Sequence, residues 1–246
     1  MNKVYIFDVD GTLTPSRQKM TKEFKKFFTN WLKSNKFYLV TGSDLPKLQE
    51  QMDFLDIEAE ALFTCCGNEM WIPDPHIVNI SAYQKYRKEF KPPKRLTEYL
   101  ELELKFSPYK KQYGNHIEDR ETMVNFSIVG RNCTQEQREE FFKWDNEKGE
   151  RKKISTYIKQ KFKDLDAVIG GQISIDIYPK GKDKSQVLEH IEKQHSTGEI
   201  IFIGDRIEGG GNDYPLAALM DNIVNCDWYH TSGWKETKQI LEKLSD

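Results

Sequence analysis

The chain begins with a short β-rich run, Lys3–Phe7, that stops abruptly at Asp8-Val9-Asp10-Gly11-Thr12. Behind it Phe24, Phe27, Phe28, Trp31 and Leu32 recur at helical spacing, the apolar stripe of an amphipathic helix. Phe37–Thr41 reads as a second strand and Ala61–Cys65 as a third. Between them a helix is expected to open near Pro46, capped by Ser43 or Asp44. Strands alternating with helices at this spacing predict a parallel sheet with crossover helices.

The rhythm changes near residue 82. Lys85–Lys111 carries nine basic against four acidic residues and is broken by Pro92-Pro93. Met123–Val129 alternates, with Val124, Phe126 and Ile128 on one face and Asn125 and Ser127 on the other. Thr134-Gln135-Glu136-Gln137 fits a capping box and predicts one long helix reaching about Phe162. Gln172–Tyr178 alternates again, setting Ile173, Ile175 and Ile177 opposite Ser174, Asp176 and Tyr178. The earlier rhythm returns after Gly181, with a helix from about Asp183 and a buried strand at Ile200–Ile203. A last strand near Ile223–Asn225 and a helix over Trp234–Leu244 close the chain. The expected fold class is α/β: a Rossmann-like parallel-sheet core, residues 1–81 and 182–246, split by an inserted α+β cap over 82–181.

Composition narrows the partners. The 246 residues hold 37 Lys+Arg against 39 Asp+Glu, a formal net charge of −2. That balance argues against a nucleic-acid or polybasic membrane partner. No apolar run approaches the roughly 18–20 residues of a membrane span. Asp8 and Asp10 interrupt the N-terminal run that a leader would need, so the expected location is cytoplasmic. Cys65, Cys66, Cys133 and Cys226 match neither a zinc spacing nor a disulfide framework and read as reduced thiols.

The chemistry sits at strand ends, where ligands bind open α/β sheets. Asp8 can attack a phosphorus atom, while Asp10 protonates the leaving oxygen and later activates the incoming one. Thr41-Gly42-Ser43 offers hydroxyls and N–H groups to phosphate oxygens. Lys184 can neutralise the nucleophile and the transferring phosphoryl group. Asp205 and Asp213, after the apolar strand, would complete a magnesium site with Asp8 and the backbone carbonyl of Asp10.

These elements resemble the haloacid dehalogenase superfamily, and within it the eukaryotic-type phosphomannomutases. The likeness rests on Phe7–Thr14 with Arg17, on Gly130–Arg138, on Gly170–Asp176, and on Gly204-Asp205 followed by Gly210-Gly211-Asn212-Asp213-Tyr214. The resemblance implies Asp8 as nucleophile and Asp10 as general acid/base. It implies Asp8, Asp10 and Asp205 as magnesium ligands, with Asp213 supporting that or a second cation site. Arg17, Arg120, Arg131, Arg138, Ser174 and Asp176 would hold the substrate. The implied reaction interconverts mannose 6-phosphate and mannose 1-phosphate, primed by a hexose 1,6-bisphosphate, in GDP-mannose biosynthesis, by a homodimer joined through its caps. A mutase must grip a second, distal phosphate, and arginines on a cap suit that task. The sequence departs from the family at Cys65-Cys66-Gly67, where Glu-Asn-Gly is usual, at Lys182, where tryptophan is common, and at Thr41, often glycine. Two alternatives follow: a magnesium-dependent sugar-phosphate phosphatase on the same scaffold, and a catalytically silent sugar-phosphate-binding protein.

Overall fold

The computed structural model describes residues 3–52, 59–73 and 82–245. Its larger sheet has seven strands in the order β11-β10-β1-β2-β3-β4-β5. These are β1 (Lys3–Phe7), β2 (Lys36–Val40), β3 (Ala61–Thr64), β4 (Glu69–Pro73), β5 (Ala82–Arg87), β10 (Glu199–Gly204) and β11 (Cys226–His230). The run from β11 to β3 is parallel, and β4 and β5 are added antiparallel.

Helices cover both faces, which is why β1 is continuously apolar from Val4 to Phe7 rather than alternating. Tyr5 and Phe7 point into one cluster with Phe24, Phe28 and Trp31 of α1 (Lys22–Leu32) and Leu241 of α8 (Trp234–Ser245). Phe24, Phe28 and Trp31 are the expected aromatic stripe, and burying each is worth about 1.5–3 kcal/mol. Val4 and Ile6 point the other way, onto Ile191 of α6 (Leu188–Gln194) and Leu216 and Met220 of α7 (Tyr214–Met220). The remaining core helix, α2 (Leu45–Met52), is started by Asp44, whose Oδ1 accepts from Lys47 N at 3.1 Å. Ser43 is therefore not spent as the cap.

The smaller sheet is antiparallel, ordered β6-β7-β9-β8, from β6 (Ile117–Asp119), β7 (Val124–Phe126), β8 (Leu165–Gly170) and β9 (Ser174–Pro179). One face packs Phe126, Ile175 and Ile177 against Leu96 and Leu100 of α3 (Lys94–Phe106), Phe141 of α4 (Gln135–Lys148) and Ile154 and Ile158 of α5 (Glu150–Lys161). The opposite face carries Asn125, Ser174 and Asp176 toward the large sheet, as the alternation predicts.

Four expectations need correction. Ala82–Arg87, assigned to the cap, is the edge strand of the large sheet, so the polypeptide leaves that sheet only after Arg87; the expected junction borders residues 74–81, which lie outside the described residues. The single long helix to Phe162 is two, because Gly149 adopts φ 64° and ends α4 as α5 begins. The helix from Asp183 opens with a 3₁₀ turn, Lys184–Val187, before α6. The last strand lies at β11, beyond Ile223–Asn225; Asn225 is instead a left-handed turn residue at φ 65°.

Candidate active site

The register of β1, with Phe7 opposite Ile203 and Leu39, brings three loops together at one sheet edge. Asp8 N donates to Ile203 O at 3.0 Å, which locks the nucleophile loop to β10. Gly11 sits at φ +100°, and a Cβ there would lie 2.4 Å from Asp205 Oδ2. Only glycine permits that approach.

Lys184 is wholly buried beneath these loops. Its Nζ donates to Asp8 Oδ1 at 2.5 Å and to Asp213 Oδ1 at 2.6 Å. Burial alone would lower its pKa, but Asp213 and Asp8 more than reverse that and hold the ammonium above lysine's ordinary value. The departure at Cys65-Cys66-Gly67 supports the same lysine. Cys65 and Cys66 are left-handed, at φ 50° and 59°, in a tight turn that packs on the 3₁₀ turn. Gln186 Nε2 donates to Cys66 O at 2.9 Å, and Asn68 Nδ2 to Lys182 O at 2.9 Å.

Asp8, Asp205 and Asp213 each offer an oxygen within 4.8 Å of the others. Burial pushes Asp8 up to about 7 despite the neighbouring Lys184, with the charge of Asp213 adding to the rise. Burial, reinforced by Asp8 and Asp213, holds Asp205 well above the usual carboxylate range. Asp8 Oδ2 is buried without a hydrogen-bond partner. Three crowded carboxylates, one lysine and an orphaned oxygen fit a divalent cation. The four expected ligands are not equivalent, however. Asp10's carboxylate stands outside the group, and its Oδ1 accepts from Arg17 N and from Gln51 Nε2, which is consistent with the backbone carbonyl expected as its contribution to a cation site. Both oxygens of Asp213 already accept, from Lys184 and, at 2.9 Å, from Arg206 N. Asp213 is thus held by the protein through both oxygens.

The opposite wall is cationic. Arg120 Nη2 donates to Glu118 Oε2 at 2.8 Å, and its Nη1 reaches Gly42 O of the core at 2.6 Å. Arg131 Nη1 donates to Ser174 Oγ at 2.8 Å. Its Nε lies 3.2 Å from Glu118 Oε2 in ion-pair contact, but neither Nε nor Nη2 has a hydrogen-bond partner, and Arg138 Nε also has none. Burial, together with Arg17 and Arg120, lowers Arg131 to about 10. Such crowding of like charge favours an anion among them. Asp176 Oδ1 accepts from Asn125 Nδ2 at 2.6 Å, and a Cβ at Gly170 would lie 2.3 Å from its Oδ2.

A single cavity joins the two walls. Asp8, Asp10, Arg17, Thr41, Ser43, Arg120, Arg131, Arg138, Ser174, Asp176 and Asp205 all line it, while Lys184 and Asp213 lie behind. Asn125, Gln172 and Asn212 line it too and were not singled out from the sequence. Asn125 had a signal, since it shares a polar face with Ser127 on an alternating strand. Gln172 and Asn212 had one too, since each lies inside a motif that carries the family likeness, although neither was given a role.

Comparison with known proteins places this geometry. The fold is shared with Plasmodium falciparum IMP-nucleotidase bound to IMP, at TM-score 0.65 and 15% identity over 99% of this chain and 66% of that one. It is also shared with the sucrose-phosphatase of Synechocystis, at TM-score 0.52 and 12% identity over 100% of this chain and 98% of the other. The expected α/β class, a largely parallel sheet with a second, antiparallel sheet inserted in the chain, is thus the observed fold and is shared with both proteins. Sequence similarity is closer elsewhere. The phosphomannomutase of Drosophila melanogaster is 37% identical over 97% of this chain and 94% of its own length. That of Encephalitozoon cuniculi is 35% identical over 98% and 94%, and phosphomannomutase 1 of Dictyostelium discoideum 35% over 99% and 96%. The family described as eukaryotic phosphomannomutase matches residues 24–244. With its acidic core edge facing a ring of cap arginines, and with similarity running through core and cap alike, the chain belongs to the eukaryotic phosphomannomutase family.

Proposed function

We propose that this protein is a phosphomannomutase, interconverting hexose 6-phosphate and hexose 1-phosphate, with mannose preferred. The observation that carries the reading is the pair of opposed walls in one cavity: Asp8 and Asp10 on one side, Arg120, Arg131 and Arg138 on the other. A phosphatase needs to hold only the phosphate it cleaves. Partly unpaired arginines remote from the nucleophile suit a second phosphate.

In the forward half-reaction the phosphoryl group leaves a hexose 1,6-bisphosphate for an Asp8 oxygen as its bond to the sugar oxygen breaks. Asp10 gives that oxygen its proton. Lys184 offsets the charge at Asp8 without leaving its place between Asp8 and Asp213. In the second half-reaction Asp10 takes the proton from the accepting hydroxyl, and the phosphoryl group returns to the sugar. The bisphosphate formed in that step turns over in the cavity before its other phosphoryl group passes to Asp8, so the arginines must accept either phosphate in turn. Ser174 and Asp176, neighbours on one strand face, can bond sugar hydroxyls in both orientations. Magnesium, held by Asp8, Asp205 and the Asp10 carbonyl, would supply charge stabilisation for the transferring phosphoryl group.

A homodimer through the cap and a cytoplasmic setting belong to the same proposal. Exposed Phe106 and Tyr157, lining a groove with Tyr99 on the helical side of the cap, support the first. Among the described residues no helix is long and apolar enough to cross a membrane. The test is incubation with mannose 1-phosphate and magnesium, with and without glucose 1,6-bisphosphate, following mannose 6-phosphate and free phosphate. Bisphosphate-dependent isomer is expected. Phosphate release without isomer contradicts the proposal, and binding without turnover does as well.

A further inference from the structure

We propose that Arg206 is a positioning residue that ties the catalytic carboxylates to the closed cap and so keeps water from phospho-Asp8. Its catalytic half rests on the mutase reading above; its structural half does not.

In the sheet, β1 is flanked by β2 on one side and β10 on the other. The loop after each neighbour carries a tether to the cap. Beside β2 the tether is Arg120 Nη1 on Gly42 O, donated from the cap. Beside β10 the direction is reversed, and the core donates. Arg206, immediately after Asp205, reaches out with Nη2 to Gly171 O in the β8–β9 turn at 3.1 Å. Its guanidinium lies 5.5 Å from the ring centroid of Phe142 on α4, within cation–π range. Arg151 donates to the same Gly171 carbonyl at 3.1 Å and lies 6.0 Å from the same ring, so the cap holds its side of the contact rigidly. Backbone closes the seam: Ile169 N donates to Gly210 O at 3.1 Å, and Ile169 bridges Gly211.

What Arg206 holds matters for the chemistry. A Cβ on Gly171 would lie 3.5 Å from Asp10 Oδ2, so this turn roofs the general acid. What holds Arg206 matters equally. Its backbone N–H donates to Asp213 Oδ2, Asp213 Oδ1 accepts from Lys184, and Lys184 donates to Asp8. Nucleophile, lysine, aspartate and arginine form one continuous chain of charge-assisted contacts ending on the cap. An excluded-water site of this kind fails first where its lid is tethered.

The direct readout is amide exchange at Ile169, whose N–H bonds across the seam. In Arg206→Met, which keeps the aliphatic stem and loses the donors, exchange there should accelerate roughly tenfold or more, while amides of the β8–β9 ladder stay as in the wild type. The catalytic readout is the ratio of free phosphate to isomer from mannose 1-phosphate with primer, which should rise about tenfold in the same variant. Arg206→Lys should restore part of both. Phe142→Leu, which alters only the cap side, should move both in the same direction by less. Unchanged exchange at Ile169 overturns the proposal whatever the activity. Acceleration throughout the ladder also overturns it, because Arg206 would then be merely structural. If the wild type makes no isomer, the mutase reading fails and the exchange experiment still decides the tether.

Discussion

The two charged walls of the cavity are built on opposite principles. On the core side, Lys184 is fully buried and both of its carboxylate partners are within 2.6 Å. On the cap side, the Arg131 side chain is also largely withdrawn from solvent, at 6% exposure, yet two of its three nitrogens lack hydrogen-bond partners. The lysine is fixed by the protein, and the arginine keeps two nitrogens free, as the proposed grip on a distal phosphate requires. A group that stabilises one transition state is best held rigidly in advance. A group that must grip two phosphates in alternation is best left with free donors.

The largest effect should come from the nucleophile. Asp8→Asn should lower both isomerisation and phosphate release by about ten-thousand-fold or more, measured by product appearance. Next is the fixed cation. Lys184→Met leaves Asp8 and Asp213 facing each other without a counter-charge and should cost about 3–5 kcal/mol in urea unfolding. If the contrast between the walls holds, Arg131→Met, which also removes repulsion from Arg17 and Arg120, should cost clearly less stability than Lys184→Met. A loss like that of Lys184→Met would erase the contrast.

Arg131 should matter in turnover instead. Arg131→Ala should reduce isomerisation roughly a hundredfold, the cost of one bidentate phosphate contact, and should affect a small aryl phosphate far less. Equal losses on both substrates would remove the distal-phosphate role.

The smallest effect concerns pH. In cation-free protein Asp8 is raised from 3.8 to about 7, so the folded state keeps a proton that the unfolded chain has released. Its contribution to stability is therefore complete below about 4 and lost as pH rises toward about 7. Urea midpoints across that window should fall with pH more steeply in the wild type than in Asp8→Asn. Magnesium should flatten the difference.

How much of this was legible depends on burial. The central strands were readable because both their faces are covered, so Val4–Phe7 and Ile200–Ile203 are unbroken apolar runs. Both edges of the same sheet were misread. β5 exposes Gln84, Lys85 and Arg87, the polar dressing of an edge strand, and so passed for part of a basic stretch. Arg87 in fact pairs with Glu69 and Glu121, which accounts for a charge that composition alone left free. At the other edge β11 is half polar and largely exposed, and the apolar Ile223-Val224 drew the assignment into the preceding turn. Gly149 broke a helix whose capping box was read correctly, because a start signal says nothing about where a helix stops.

In the site, motif residues at strand ends were legible because their chemistry is local. The partners that hold Asp10 and Asp213 were not, since Gln51, Lys184 and Arg206 are distant from one or both of them in sequence. Arg206 itself looked like any loop arginine until the turn at Gly171 was placed beside it.

The central claim, that phosphate passes through Asp8 and back to sugar within a closed cavity, is tested most directly by label transfer. The protein is given hexose 1,6-bisphosphate radiolabelled in its phosphates, with unlabelled mannose 1-phosphate and magnesium. The account predicts label in mannose phosphates and, transiently, in a hydroxylamine-labile bond to protein that Asp8→Asn cannot form. Label that appears only as free phosphate would contradict it.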